Sequence, residues 1–358
     1  MSRLLRLASF LSAIVLAGCL HPRIGPNSIP RDRAEYSDSV SDSWKQQTLL
    51  NIVKLRYVDP PIFVDVGNIV ASYTIFGNVN AGGTIPTSGA GSAAVGGSVG
   101  YSHSPTITYT PLTGSDYIRT MITPLPVSVV FAAIQNGLPA DSIMLSLLKS
   151  INGLRNQSVS LEGIKPADPE FHRVRQLVEK IQASDAVRLV VKDDEKNQQK
   201  TLLTLRSTNI PPEIQEDIIE LHRLLGLDPN GTEFSLVSAP LPANNREIAV
   251  QTRSIDELLQ NAAVQVEVPT EDVDKHRAIP GFSTGHDVPG VVPMIRIHSS
   301  KSKPGDAFVT VNYRDTWFFI DDGDLASKRA LAELMELFTM ADTGRKANEQ
   351  PVVTIPAR

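Results

Sequence analysis

Residues 72–104 read SYTIFGNVNAGGTIPTSGAGSAAVGGSVGYSHS, inside a run of fifty residues, 66–115, that has no Asp, Glu, Lys or Arg. Charged residues make up 20% of the chain, so about ten would be expected in a run of that length. Odd positions carry Tyr73, Ile75, Val79 and Ala81, then Ala93, Val95, Val99 and Tyr101. Even positions carry Ser72, Thr74, Asn78 and Asn80, then Gly96, Ser98, Gly100 and Ser102, and Phe76 is the one clear exception. Alternation with period two predicts two strands, and the Gly-rich GGTIPTSGAGS between them predicts the hairpin connection. The larger odd-position residues, Tyr73, Ile75, Val79, Val95, Val99 and Tyr101, are the candidate interaction face of this hairpin.

Upstream, Leu7 to Ala17 is the only long apolar run, and Arg3 and Arg6 precede it. It is too short for a spanning helix, which needs about 20 apolar residues. A basic start, a short apolar core and small residues predict a secretory signal peptide over residues 1–18. Cys19 is the only cysteine. Leu16-Ala17-Gly18-Cys19 resembles the lipobox of bacterial lipoproteins, which implies that Cys19 is lipidated after cleavage. Leu20 stands where an Asp would favour inner-membrane retention, so the resemblance implies an outer-membrane anchor. More than one acyl chain makes such an anchor stable. Removing residues 1–18 leaves 32 basic against 39 acidic residues. With no basic stripe, nucleic acid is not an expected partner.

Along the mature chain the pattern predicts a tether over 19–41, then a helical module over 42–156 that carries the hairpin. The first helix runs from Asp42 to Tyr57, with Trp44, Leu49, Ile52 and Val53 on its apolar face, and Pro60 stops it. Thr106 to Thr110 extends the second strand. Apolar helices follow over Pro126–Gln135 and Ala140–Ile151. Polar, turn-forming residues over 156–169 mark a boundary, and 170–358 reads as a second module. There, helices Phe171–Ala183, Pro211–Leu225, Ser254–Ala263 and Asp324–Ala341 interleave with strands, including Met294–His298, Ala307–Tyr313 and Trp317–Ile320, the last two joined by Arg314-Asp315-Thr316, and a terminal Val352–Ile355. Gly226 is placed to end one helix and Ser254 to open another. Val268–Pro293 reads as a long loop. The fold class is α+β: N-terminal helices with a long Gly-rich β-hairpin, then a mixed module with antiparallel strands.

Several stretches are similar to those of uncharacterised proteobacterial outer-membrane lipoproteins. They are Ser43-Trp44, Leu50–Tyr57, Ile151–Asn156, Thr252-Arg253-Ser254, and Tyr313–Asp322 followed by Asp324–Lys328. The resemblance implies an exported, envelope-associated protein facing the periplasm and brings no activity with it.

Catalytic and metal signals are thin. Gly281-Phe282-Ser283-Thr284-Gly285 matches the pattern of a nucleophile elbow, with Asp287 and His298 as imaginable partners. Such an elbow requires a strand before it and a helix after it, whereas Pro280 and His286–Gly290 flank this one. Asp321-Asp322-Gly323-Asp324 offers hard oxygen ligands, but a calcium loop begun at Asp322 would need a ligand at Ala326 and a glycine at Ser327. A strand end, a tight turn and a helix cap at Asp324 explain it more simply. The seven histidines form no zinc-type spacing, and no phosphate-binding glycine motif is present. Tyr313, Trp317, Phe318 and Phe319 read as core-packing aromatics with Phe318 on the face opposite Trp317 and Phe319.

The expectation is therefore a non-enzymatic lipoprotein without cofactor or metal, anchored to the outer membrane. Its partners are the membrane and either a second copy of itself or an envelope complex. A structural or assembly role comes first, an oligomeric pore built from hairpins 72–104 second, and a hydrolase at Ser283 third. Replacing Cys19 by Ala should move the protein from the detergent phase to the aqueous phase in a partitioning experiment, and unchanged partitioning would remove the lipid anchor from this picture.

Overall fold

The computed structural model describes residues 28–84, 92–160, 163–193, 199–206, 210–281 and 293–341. Cys19, Ser283 and the expected strand Val352–Ile355 lie outside the described residues. The chain forms two compact units, one of Met1–Trp44 with Val64–Pro111 and one of Lys45–Phe63 with Leu112–Arg358.

Helix α1, Ile29–Arg56, passes from the first unit to the second at Trp44. It starts well before the expected Asp42, inside the segment read as a tether. Residues 29–41 carry no apolar stripe, so periodicity gives no sign of this part. Local chemistry supports it instead. Pro30 sits in the first turn, where its missing N–H is harmless, and Asp32 lies there too, favoured by the helix dipole. Asp32 N–H reaches the Ser28 carbonyl at 2.9 Å, and the Ser39 hydroxyl donates to the Glu35 carbonyl.

The rest of the first unit is a two-stranded ribbon in two segments. Strand β1, Val64–Val70, pairs antiparallel with β4, Thr106–Pro111. Strand β2, Tyr73–Thr84, pairs with β3, Ser92–His103, in an unbroken register from Tyr73 opposite His103 to Thr84 opposite Ser92. A hydrogen bond from Ser104 N–H to the Ser72 carbonyl carries the pairing across the break. The hairpin is thus longer than residues 72–104, because Thr106–Pro111 finds its own partner in β1.

The second unit is mixed α+β. Short helix α2, Gly114–Tyr117, runs into a π-helical turn, Ile118–Ile122. Helices α3, Val127–Gln135, and α4, Ala140–Leu147, follow. A six-stranded sheet has the order β6-β5-β12-β11-β10-β9. Its strands are β5 Leu148–Ile151, β6 Leu154–Arg155, β9 Val187–Asp193, β10 Gln199–Leu205, β11 Glu233–Val237 and β12 Glu247–Thr252. Only β11 and β12 pair in parallel; the other neighbours are antiparallel. Strands β7, Ser158–Ser160, and β8, Gly163–Lys165, make a small separate hairpin. Helices α5, Pro169–Ala183, and α6, Pro212–Leu225, pack on each other. Helix α7, Ile255–Ala263, and short α8, Thr270–Asp274, lead to the sheet β13-β15-β14, made of His298–Ser300, Thr316–Asp321 and Ala307–Tyr313. Helix α9, Leu325–Ala341, completes the described chain.

Three expectations change. The boundary placed at 156–169 does not divide the fold, because β5 and β6 from one side of it bond to β12 on the other. Helix α4 stops at Leu147 instead of Ile151. Its last carbonyls are taken by side chains: Asn156 Nδ2 donates to those of Met144 (3.2 Å), Leu145 (2.8 Å) and Leu148 (2.7 Å). Arg253 Nη1 donates to the Leu145 and Ser146 carbonyls, at 3.0 and 2.8 Å, and Nη2 to the Gln157 carbonyl. A cation at a helix C-terminus also complements the dipole, and the freed backbone turns into β5. Third, Met294–Arg296 is not strand, and Ile297 makes an isolated parallel bridge to Val266. Both the Met294 and Ile295 N–H groups donate to Gln265 Oε1, which leaves them no ladder, and β13 begins only at His298.

Other local expectations hold. Gly226 adopts φ 64° at the end of α6, the left-handed conformation that glycine takes without strain. Ser254 and Glu257 form a reciprocal capping box at the start of α7. Arg314 and Asp315, at φ 50° and 61°, make the tight turn between β14 and β15. Phe318 is fully buried while Trp317 and Phe319 are half-buried. Asp324 caps α9 through the Ser327 N–H at 3.1 Å, Asp321 accepts from the Gly323 N–H, and Asp322 pairs with Lys328. The acidic cluster is thus occupied by its own turn and cap.

Replacing Arg253 by Ala takes the side-chain donor from the Ser146 and Gln157 carbonyls and one of two from that of Leu145, and each buried group left unsatisfied costs about 1–3 kcal/mol. The expected loss is about 3–5 kcal/mol in urea unfolding, in the range of breaking a buried charged network. Because Asn156 shares the Leu145 carbonyl, only Arg253→Ala with Asn156→Ala removes both of its side-chain donors, and the double loss should exceed the summed single losses. Strict additivity would contradict a shared clamp.

Candidate functional site

The β2–β3 ribbon is the candidate site, and its register explains the alternation of its sequence. Directly opposed residues of an antiparallel pair share a face. Positions 73, 75, 79 and 81 therefore lie on the same face as 95, 97, 99, 101 and 103, so all six candidate interface positions share one side. The side chains of Ile75, Val79, Val95 and Val99 lie outside the described residues. Those of Tyr73 and Tyr101 stack with ring centroids 6.1 Å apart, and Tyr73 stacks on His103 at 4.6 Å, the rings 7° from parallel.

Phe76, the residue that breaks the alternation, belongs to the other face. It is paired with Gly100, and its ring covers that glycine: a Cβ at position 100 would come within 2.2 Å of Phe76 Cε2. An aromatic lying across an opposed glycine supplies the packing that the glycine lacks. Phe76 is 57% exposed and Tyr101 52% exposed. Gly77, Asn78, Asn80 and Gly96–Ser98 are exposed too.

The base of the ribbon is held by α1. Tyr73 donates its hydroxyl to Asp32 Oδ2, and the Tyr36 hydroxyl and His103 Nε2 are 3.1 Å apart. The Tyr73 hydroxyl, with Ser28 and Arg31 beside it, lowers the Asp32 carboxyl to about 2. Tyr73 therefore serves two partners, the ring stack and the helix, and of the two described tyrosines of this face Tyr101 is the more exposed. This tie could not be read from the strand pattern, since Asp32 and Tyr36 sit in a segment without amphipathic signal.

Both outer edges of the ribbon are open. Among the described residues β2 and β3 pair only with one another, so alternate N–H and C=O groups of each strand have no ladder partner. Nothing charged guards these edges between residues 66 and 115.

The remaining sequence signals have structural surroundings. Gly281, the first glycine of the Ser283 motif, lies against the Arg56 guanidinium, and a Cβ there would fall 1.9 Å from Nη2. Close approach alone thus accounts for that glycine. Arg56 is 3% exposed, and burial lowers its guanidinium to about 10. His298 Nδ1 is 3.0 Å from Glu267 Oε2. Tyr57 donates to Asp272 at 2.8 Å and meets Tyr313 and Phe318 edge-on. Among the described residues, no group of three or more His, Cys, Asp or Glu is placed to hold a metal ion. No single described helix is long and apolar enough to cross a membrane. Gly114–Ile122 with Val127–Gln135 has the length and composition but is bent by 52°, and Val127, Val130, Phe131 and Ile134 of its second half are buried in the unit.

The residues behind the family resemblance hold the fold together. Asn51 clamps the Ile62 backbone from both sides, at 2.8 and 3.0 Å. Asn152 bonds the Leu225 carbonyl and the Ala249 N–H, both at 2.7 Å. No family model matches the chain, and no curated protein or solved structure is significantly similar to it.

The Asp32 carboxylate has an acid-sensitive role at the ribbon base. Its folded value near 2 lies below the ordinary aspartate value of 3.8, so this tie is fully present above about pH 4 and is lost as pH falls through 2. Amide protection at residues 73 and 103 should drop across that window, and Tyr73→Phe should lower protection at neutral pH and remove the step. An unchanged step in Tyr73→Phe would show that another group titrates.

Proposed function

We propose that this chain is a lipid-anchored envelope protein with a structural or assembly role, in which the hairpin 72–104 is the element that engages a partner. One observation carries the proposal: a regular ribbon, twelve residues in each strand, with both edges unpaired among the described residues and no charge along them. An isolated hairpin is marginal in water, and uncharged open edges are templates for further strands. A second copy of the chain supplies matching strands. Cys19 would hold such copies at one surface, facing the periplasm, where encounter is a two-dimensional search. No cofactor, metal or nucleic acid enters this role, and it is not enzymatic.

A second reading, an oligomeric outer-membrane pore or export channel, is favoured by the same strand length. A transmembrane strand needs about 9–11 tilted residues, and the exposed polar Asn78, Asn80 and Ser98 lie on the face opposite Val79 and Val99. Only a closed ring of ribbons could satisfy the backbone in lipid. The two readings separate on Val79. Arginine near a bilayer midplane costs about 2–4 kcal/mol, whereas edge pairing in water leaves room for it.

The test is the size of the lipidated protein in detergent and in buffer, with and without residues 72–104. Full-length protein should form defined oligomers and the deletion should be monomeric. A full-length monomer in both media would overturn the assembly role. Conductance in liposomes that disappears on deletion and in Val79→Arg would select the pore, and its absence would leave the soluble arm.

A further inference from the structure

The second unit contains two adjoining cavities of opposite character. One is an apolar groove of about 560 Å³, counting the space open to solvent, between α3, α4, α7 and α9. Leu138, Ile143, Leu147, Leu258, Leu337 and Met340 line it. The other, about 800 Å³ on the same measure, is polar, with Arg253, Arg329, Gln157, Asn261 and Gln265 in its wall. Ser146, Met294, Ala330 and Glu333 border both, so the two spaces meet along one side of α9. An apolar lining joined to a few convergent polar groups is the pattern of small-molecule sites.

The charges are unevenly distributed. Arg253 and Arg329 face Glu333 in the polar cavity, an excess of cation, whereas Glu333 and Glu336 border the apolar groove. Burial pushes the Glu333 carboxyl above its usual range. Arg253 directs three bonds to the Leu145, Ser146 and Gln157 carbonyls. Its positive charge is 94% hidden in protein, at 6% exposure, and the carboxylate that acts on it, Glu257, is also bound to Lys149 and the Ser254 N–H. A cation held by neutral carbonyls at the wall of a polar cavity attracts an anion. The apolar groove beside it has no polar occupant to offer, and water gains few hydrogen bonds there.

We propose that the two cavities form one amphiphile site, which takes a long-chain fatty acid with its alkyl chain in the groove and its carboxylate beside Arg253 and Arg329. The ligand matches both halves at once: the alkyl chain covers apolar surface that is otherwise wet, and the carboxylate compensates the guanidinium pair. Arg253 positions the wall and supplies fixed charge, while the exposed Arg329 closes the entrance.

The experiment is calorimetric titration of the purified full chain with dodecanoate below its micelle concentration, beside dodecanol and octyl phosphate. Saturable dodecanoate binding, at least tenfold tighter than dodecanol, is expected. Arg329→Glu should weaken dodecanoate at least tenfold and leave dodecanol unchanged. Ala330→Trp should abolish both, with Met340→Trp as a second block if the first lowers the melting temperature. No binding to the native chain, equal binding of acid and alcohol, or full binding in a folded tryptophan variant would each overturn the site. Octyl phosphate binding more tightly than dodecanoate would assign the headgroup to a phosphate and overturn the carboxylate.

Discussion

A single guanidinium sits where the second unit's main pieces converge. Arg253 lies between β12 and α7, and its bonds reach the end of α4 and the start of the β7 hairpin. The Thr252 hydroxyl beside it donates to the Leu125 carbonyl at 2.6 Å, and the Arg253 N–H donates to the Leu147 carbonyl at 2.8 Å. The next residue, Ser254, caps α7. Three consecutive residues thus connect the segment before α3, the end of α4, the sheet and a further helix. A buried charge of this kind contributes specificity at least as much as stability, because any other chain path leaves it uncompensated.

The first unit obeys a different constraint. Among the described residues β2 and β3 pair with no other strand, so hydrogen bonds within the pair and contacts along each face hold the ribbon. Those contacts concentrate at its base, where His103, Tyr73 and Tyr101 stack and α1 contributes Asp32 and Tyr36. Toward the tip the paired positions become Val79 with Gly97, Ala81 with Val95 and Gly83 with Ala93, none of them aromatic. The sequence is thus graded from aromatic to small. That gradient suits a ribbon whose outer part is completed by something else, as the assembly reading requires.

How much of this was legible depends on whether the decisive group was near in sequence. Gly226, Ser254 with Glu257, and Arg314-Asp315 act on their own neighbours, and each was readable. The alternation of 72–104 is also local, and the register places its odd positions together as the pattern suggested. The end of α4 was not legible, because Leu145 to Leu148 are strong helix formers in context and the groups that stop them lie at 156 and 253. The start of α1 was missed for the opposite reason: it rests on helix-terminus chemistry and on partners in the ribbon, and residues 29–41 show no apolar face. The parallel pairing of β11 with β12 left no signal, since an apolar strand reads alike beside a parallel or an antiparallel neighbour.

The order of the six-stranded sheet sets a sequence of events. Strands β5 and β6 leave α4 as a ready hairpin, yet their sheet neighbour β12 begins only at Glu247. Everything from Leu148 onward must wait for almost a hundred residues of chain before that edge is covered. Pairing within the ribbon needs no such delay, as Thr84 and Ser92 are neighbours in sequence as well as in register. Local pairings form fast and distant ones slowly. A chain that folds from its N-terminus therefore presents its uncharged ribbon while the sheet of the second unit is still open. Under the proposed anchoring, neighbouring copies would meet through that ribbon before the remainder of each molecule has finished folding.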